Sequence, residues 1–273
     1  MKTVILIDNI GDDVLTGEWG LSFYIEYKDR KILLDAGGIS GAFAGNAEKL
    51  GISLEEMDTA VLSHAHYDHA DGMSTFFRLN DHAKLYLRES CGENCYKKPD
   101  GKIKYIGIRQ GFLEAYAGRL VRVSGAYQLG DGIWLLPHTA PAARLEEAGN
   151  QESMCLKVGE EWITDCFDHE QSLVFELPEG LVIFSSCSHA GADLIISEVR
   201  QAFPDREILA ILGGFHLYNK TPEYVRNLAE RIRSLGKIGI YTGHCTGEEG
   251  YEILREELGD SVHQLRSGME IRF

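Results

Sequence analysis

The chain has 273 residues, 44% of them hydrophobic, and a net charge of −15. That is enough apolar content for one large core or two modest ones, and the acidic surface repels phosphate backbones, so a nucleic-acid partner is not expected. No run of 18 apolar residues occurs, so no membrane span is expected, and the opening Met1-Lys2-Thr3-Val4-Ile5-Leu6-Ile7-Asp8 reads as a first strand in a cytoplasmic protein.

In chain order, residues 4–7, 21–27 and 31–34 read as strands, the last two forming a hairpin around Lys28-Asp29-Arg30. A helical pattern over 42–50 stops at Gly51. Residues 59–63 form an apolar strand, followed by a stretch without helical pattern until about Gly72, a helix over 73–79 and a strand over 84–87. Residues 88–122 are less regular, with Cys91, Gly92, Pro99, Asp100 and Gly101, and read as a cap-like insert. Strands follow at 132–136, 153–158, 172–177 and 181–185, then a helix at 192–203 and a strand at 208–212. Thr221 as N-cap and Pro222 at the first helical position open a helix to 235. A strand at 238–242, a helix at 248–258 and strands at 262–265 and 270–273 close the chain. Hairpins mixed with strand–helix alternation in both halves predict an α+β single domain over 1–273, with two sheets face to face and helices outside.

The segment Ser63-His64-Ala65-His66-Tyr67-Asp68-His69-Ala70-Asp71-Gly72 carries the chemistry. It gathers His64, His66, Asp68 and His69 within six positions, in a chain with only 10 histidines. Neutral imidazoles with a carboxylate suit zinc, iron or manganese. In extended backbone His64 and His66 point the same way and can grip one cation. The side chains of Asp68 and His69 diverge and can serve a second. Three more histidines end apolar strands among small residues: His189 in Cys187-Ser188-His189-Ala190-Gly191, His216 in Gly213-Gly214-Phe215-His216-Leu217, and His244 in Gly243-His244-Cys245-Thr246-Gly247. A lone histidine of this kind is usually structural; three in the same context point to further ligands. The six cysteines, at 91, 95, 155, 166, 187 and 245, read as reduced thiols. Cys91 and Cys95 have no second pair to make a zinc knuckle, and Cys187 and Cys245 read as small buried residues.

His64-x-His66-x-Asp68-His69 resembles the signature of the metallo-β-lactamase-fold superfamily. Leu33-Leu34-Asp35-Ala36-Gly37 is similar to its early strand ending in Asp and Gly, and Gly243-His244 to its last histidine motif. The three later histidine loops together resemble the branch of ribofuranosylaminobenzene 5′-phosphate synthase. The resemblance implies a four-layer αββα sandwich holding two divalent metal ions, zinc foremost, with iron or manganese as alternatives. It places His64, His66 and His189 on one metal and Asp68, His69 and His244 on the other. The superfamily's bridging Asp is missing: Cys187-Ser188-His189 stands there, which leaves the bridging ligand open. His138, in Leu136-Pro137-His138-Thr139, is the rival third ligand.

A metal of this kind lowers the pKa of bound water from about 15.7 to near 7, which supplies hydroxide at working pH. Asp68 then serves as ligand and proton relay, and His216 as donor to a developing oxyanion or a substrate phosphate. Asp35 either orients a ligand histidine or caps its turn. Arg109, Arg144 and Lys97-Lys98 can draw in an anion; Tyr96, Tyr105, Phe112 and Tyr116 form either a cap wall or the insert's own core. The expected activity is metal-dependent hydrolysis of a small anionic metabolite: an ester, lactone or phosphoester. The alternatives are phosphoribosyl transfer to an aminobenzoate, as in the resembling branch, and metal-dependent binding without turnover. A diiron redox protein is disfavoured, because 273 residues leave no room for the flavin domain such proteins carry.

Overall fold

A computed structural model describes residues 1–38, 40–98, 101–141 and 154–273. Along the first strand, β1 (Lys2–Ile7), side chains alternate between two cores. Val4 and Leu6 join one apolar cluster, Ile5 the other. That period-2 split is the mark of a sheet covered on both faces.

Two seven-stranded sheets repeat one plan. The first runs β18 (Glu270–Arg272), β1, β2 (Ser22–Tyr27), β3 (Arg30–Leu34), β4 (Thr59–Val61), β5 (Lys84–Arg88), β8 (Leu120–Val123). The second runs β17 (Val262–Gln264), β16 (Gly239–Thr242), β15 (Ile208–Gly213), β14 (Gly180–Phe184), β13 (Glu170–Leu177), β10 (Ile133–His138), β9 (Tyr127–Gly130). Between them lies a core that includes Ile5, Phe23, Ile32, Phe175, Val182 and Phe184. Phe43, Ala47, Met73 and Phe76 of helices Ala42–Lys49 and Met73–Leu79 cover the outside of the first sheet. Helices Ala192–Ala202, Pro222–Ser234 and Gly247–Leu258 cover the second through residues such as Ile196, Leu228 and Leu254. The result is the expected four-layer αββα sandwich. Thr221 caps its helix as expected, its Oγ1 accepting the Tyr224 N–H at 3.2 Å.

The differences from expectation are local. Tyr67–Ala70, in the stretch expected to lack helix, makes one helical turn with extended His66 at its N-cap. Leu120–Val123, expected within the insert, is an edge strand parallel to β5. The cap is a small separate sheet, ordered β12 (Glu161–Thr164), β11 (Cys155–Val158), β6 (Cys95–Lys97), β7 (Lys104–Tyr105), so two distant segments build it. Phe112 and Tyr116 pack on Phe77 with ring centroids 6.0 and 4.9 Å away. Tyr96 packs on Tyr105 and Trp162, each at 5.0 Å. These aromatics are structural and do not wall the cleft.

Strands β3 and β4 of one sheet, and β14, β15 and β16 of the other, run out into the loops that hold Asp35, His64, His189, His216 and His244. Two glycines let the loops close up. A Cβ on Gly72 would sit 1.9 Å from the Ala36 carbonyl oxygen, and one on Gly213, at φ +138°, 1.9 Å from that of Ser185.

Candidate metal centre

One buried carboxylate sets the geometry of the histidine loop. Asp35 stands at the end of β3 with φ +56°. Its Oδ1 accepts the Ser63 N–H at 2.8 Å; its Oδ2 accepts the Ser63 hydroxyl at 2.6 Å and His69 Nδ1–H at 2.8 Å. Having given its proton to Asp35, Ser63 Oγ accepts from His64 Nδ1 at 2.8 Å. Both imidazoles therefore carry their proton on Nδ1 and present a bare Nε2. Asp35 holds a candidate ligand ring and so does more than cap its turn.

His244 is fixed the same way from the other sheet. Its N–H donates to Asp8 Oδ2 at 2.9 Å, and its Nδ1 meets Asn9 Oδ1 at 3.1 Å. Its Nε2 lies 3.2 Å from His69 Nε2 and 3.5 Å from Asp68 Oδ2. Cys187 Sγ is 3.2 Å from the same His69 Nε2. Neighbouring donors on a tetrahedral zinc with Zn–N of about 2.0–2.1 Å are separated by about 3.3 Å. Two bare imidazole nitrogens, a carboxylate oxygen and a sulfur at these spacings fit a divalent cation. Burial pushes His244 down to about 3. Burial acts on His69 too, but the Asp35 charge outweighs it and the net shift is upward.

A second group adjoins the first. His64, His66 and His189 each place a ring nitrogen within 4.8 Å of the others'. Nε2 of each is buried and has no hydrogen-bond partner, which is costly for an imidazole unless a cation takes the lone pair. Burial first, and the neighbouring imidazoles second, hold all three well below the ordinary histidine value, so they are neutral and ready to ligate. Glu170 shapes the His189 turn, its two carboxylate oxygens accepting the His189 and Ala190 N–H groups at 2.8 and 2.9 Å. The His189 ring lies flat on Phe167, 4.3 Å away and 6° from parallel.

The rival third ligand is engaged elsewhere. His138 Nδ1 meets Glu198 Oε2 at 2.5 Å and Nε2 meets Ser172 Oγ at 2.7 Å. Its ring is a buried structural bridge; the geometry favours His189. His216 stands beside His189, ring centroids 4.3 Å apart. Arg109 lies away from the centre, its N–H on Asp71, and Arg144 lies outside the described residues.

Cys187 is where sequence reasoning fell short. Read as a filler, it faces both groups: its sulfur has donor atoms of His64 and His69, of His244 and Cys245, and of His189 and His216 within 4.8 Å. The available signal was its place, at the strand end where the resembling family carries its bridging Asp. Its sulfur is 3.4 Å from that of Cys245. Burial raises both thiols, but the pair shares a proton, so Cys187 is held well above the ordinary value and Cys245, beside His244 and His216, falls well below.

A second buried network braces the loop from behind. His169 Nδ1 accepts the Ala65 N–H at 3.1 Å, which puts its proton on Nε2, facing Asp165 Oδ2 at 3.1 Å and Cys95 Sγ at 3.7 Å. That tautomer leaves no lone pair on Nε2 for a metal. The network is a strut, although His66, Cys95, Asp165 and His169 also bring donor atoms within 4.8 Å of one another.

Backbone strain gathers here. Six non-glycine residues among those described have positive φ; Asp35, Ser188, His216, His244 and Phe167 are at the site, and Lys28 is in a hairpin turn. Such conformations persist where surrounding structure enforces them, often at functional sites. The centre opens into a cleft of about 200 Å³ lined by Trp19, His66, Asp68, Lys97, Lys104, Cys187, His189, His216, Tyr218 and His244, among others.

The sequence pattern of the Metallo-beta-lactamase superfamily matches residues 16–144. A protein of Methanocaldococcus jannaschii named uncharacterized protein MJ0448 is 30% identical over 251 residues, 89% of this chain and 90% of its own length. The chain belongs to the metallo-beta-lactamase superfamily. Within the superfamily it is also similar to a 7,8-dihydropterin-6-methyl-4-(beta-D-ribofuranosyl)-aminobenzene-5'-phosphate synthase of the same organism, 25% identical over 93% of this chain and 90% of that one. The solved structure of Tm1679, described as a metal-dependent hydrolase of the beta-lactamase superfamily, superposes with a TM-score of 0.83 at 24% identity, covering 100% of this chain and 99% of that one. The fold is therefore that of the superfamily.

Proposed function

We propose that this chain is a metal-dependent hydrolase acting on a small anionic metabolite, an ester, lactone or phosphoester. The observation that carries the reading is the pair of bare Nε2 atoms of His69 and His244, 3.2 Å apart, each with its Nδ1 taken up by a fixed acceptor. In this reading His64, His66 and His189 hold one divalent cation. Asp68, His69, His244 and Cys187 hold the other, with Cys187 shared between the two. A thiolate in the donor set favours zinc over manganese. When bound, such cations polarise a substrate oxygen and lower the pKa of a bound water to near 7.

The protein's own contributions follow from position. Asp35 keeps two rings in the tautomer that ligates. Asp68 reaches the centre from a nearly buried position at the edge of the cleft, its side chain 11% exposed, where its carboxylate would be placed both to ligate and to accept a proton. His216 lines the cleft beside His189 and donates to charge developing on the substrate.

The test is metal analysis of the purified protein, followed by turnover assays on bis(4-nitrophenyl) phosphate, aryl esters and lactones. Near-stoichiometric zinc with turnover of one class supports the reading. A fully metal-loaded protein inert to every class overturns it in favour of metal-dependent binding. The likeness to a synthase favours one further reading, phosphoribosyl transfer. Aminobenzoate-dependent release of pyrophosphate would select it.

A further inference from the structure

The lysine content around strands β6 and β7 is unusual for so acidic a protein. Four of the eight residues from 97 to 104 are lysine, in a chain of net charge −15. Strands β6 and β7 pair Tyr96 with Tyr105 and Lys97 with Lys104. Side chains alternate faces along a strand. The tyrosine pair stacks on the Trp162 side, where Lys98 also lies, 4.6 Å over the Trp162 ring. The lysine pair therefore takes the other face, and both lysines line the cleft together with His66, His189 and Cys187.

Directly opposite residues on a strand pair have Cβ atoms about 4.5–5.5 Å apart, and like charges so placed are destabilising. Neither Lys97 nor Lys104 has a carboxylate partner among the described residues. Two ammonium groups held side by side match a dianion better than a single carboxylate. The strand end carrying them is tied to the ligand loop, with the Tyr67 N–H donating to the Ile106 carbonyl at 3.0 Å and the Ile108 N–H to that of Ala65 at 3.1 Å. At the other side of the centre, Trp19 packs against His244 and Tyr218, centroids 5.0 and 5.3 Å away. Trp19 and Tyr218 are 43% and 40% exposed, an open aromatic rim suited to a flat, weakly polar group.

We propose that Lys97 and Lys104 form a phosphate subsite beside the metal centre, so that the substrate is a phosphorylated metabolite with a phosphate held apart from the reacting bond. The inference rests on the hydrolase reading for the word substrate, but the subsite itself does not need it.

The probe is inorganic pyrophosphate, measured by isothermal titration calorimetry on zinc-loaded protein and on protein stripped with a chelator. Lys97→Gln with Lys104→Gln is compared with Lys98→Gln with Lys157→Gln, whose lysines lie over Trp162. The expected result is that the first pair weakens binding roughly tenfold or more in both forms, while the second pair leaves it unchanged. Binding that disappears on stripping but ignores Lys97→Gln/Lys104→Gln would place the anion on the metals alone; the subsite fails and the hydrolase reading stands. Lysine-dependent binding in a protein that turns over no substrate keeps the subsite and removes the hydrolase reading. Equal loss with both lysine pairs would mean general charge attraction and overturn the subsite.

Discussion

The sulfur of Cys187 lies 3.4 Å from that of Cys245 and 3.2 Å from Nε2 of His69. Two thiols from different strand ends, β14 and β16, thus meet at the junction of two imidazole clusters. His216 joins them through its N–H, 3.2 Å from Cys245 Sγ. A soft donor here gives the centre a chemistry that a bridging carboxylate would not, and exposes it to oxidation when no cation occupies the sulfur.

A disulfide needs S–S of about 2.05 Å, a short step from the present separation. In metal-stripped protein, hydrogen peroxide should take two protons and two electrons from the thiols, leave as two waters, and lower the intact protein mass by about 2 Da. Zinc-loaded protein should resist, and Cys245→Ser should not show the loss. A metal-free protein that only gains oxygen would contradict the pairing.

Zinc affinity should carry a pH dependence whose origin can be assigned. His64, His66 and His189 sit well below the ordinary histidine value, so between about pH 6 and 8 no proton must leave them. The thiol pair keeps a proton on Cys187, held well above the usual thiol value. Binding Cys187 as a thiolate displaces that proton, and His69, raised by the Asp35 charge, must shed its own, so affinity should rise with pH over that range. Cys187→Ser should reduce the slope and leave the His69 part. A slope unchanged in this variant would take Cys187 out of the proton balance.

Glu170 offers a test of folding instead of metal binding. It is buried, and both its oxygens are spent on backbone N–H groups of the His189 turn. Glu170→Ala orphans two donors at about 1–3 kcal/mol each, so a loss of roughly 2–6 kcal/mol in chemical denaturation is expected. A loss below about 1 kcal/mol would mean that water reaches the turn.

Much of this arrangement was legible in the sequence. Apolar alternation gave both sheets, because residues such as Ile5 and Phe23 must choose a face, and the Met73–Leu79 helix coincides with its periodicity. The spacing of His64, His66, Asp68 and His69 announced the centre. What stayed hidden was non-local. Residues 120–123, Leu-Val-Arg-Val, are strand-like but only four long and end an irregular stretch, so their place as an edge strand shows only in the pairing with β5. The cap needed two segments some 60 positions apart to meet, Tyr96 pairing with Cys155. Asp165 and His169 sit in no motif; only the Ala65 N–H shows what they support. Cys187 read as filler because burial and ligation place a cysteine alike.

His216 and Asp35 should separate in their effects. His216 lines the cleft and its backbone is fixed by Cys245. If it acts on charge developing in the substrate, His216→Asn should leave zinc content unchanged and lower kcat by about a hundredfold, the usual cost of one such donor. Asp35 touches no part of the cleft but holds the His69 ring directly and the His64 ring through Ser63. Asp35→Asn keeps the shape and removes the charge. Its amide either turns an N–H toward His69, opposing the Nδ1–H, or surrenders a bond to Ser63. Zinc affinity should therefore fall about 10–100-fold, with most of the activity recovered at saturating zinc. If zinc content drops instead in His216→Asn and holds in Asp35→Asn, the ligand set must be redrawn with His216 inside it.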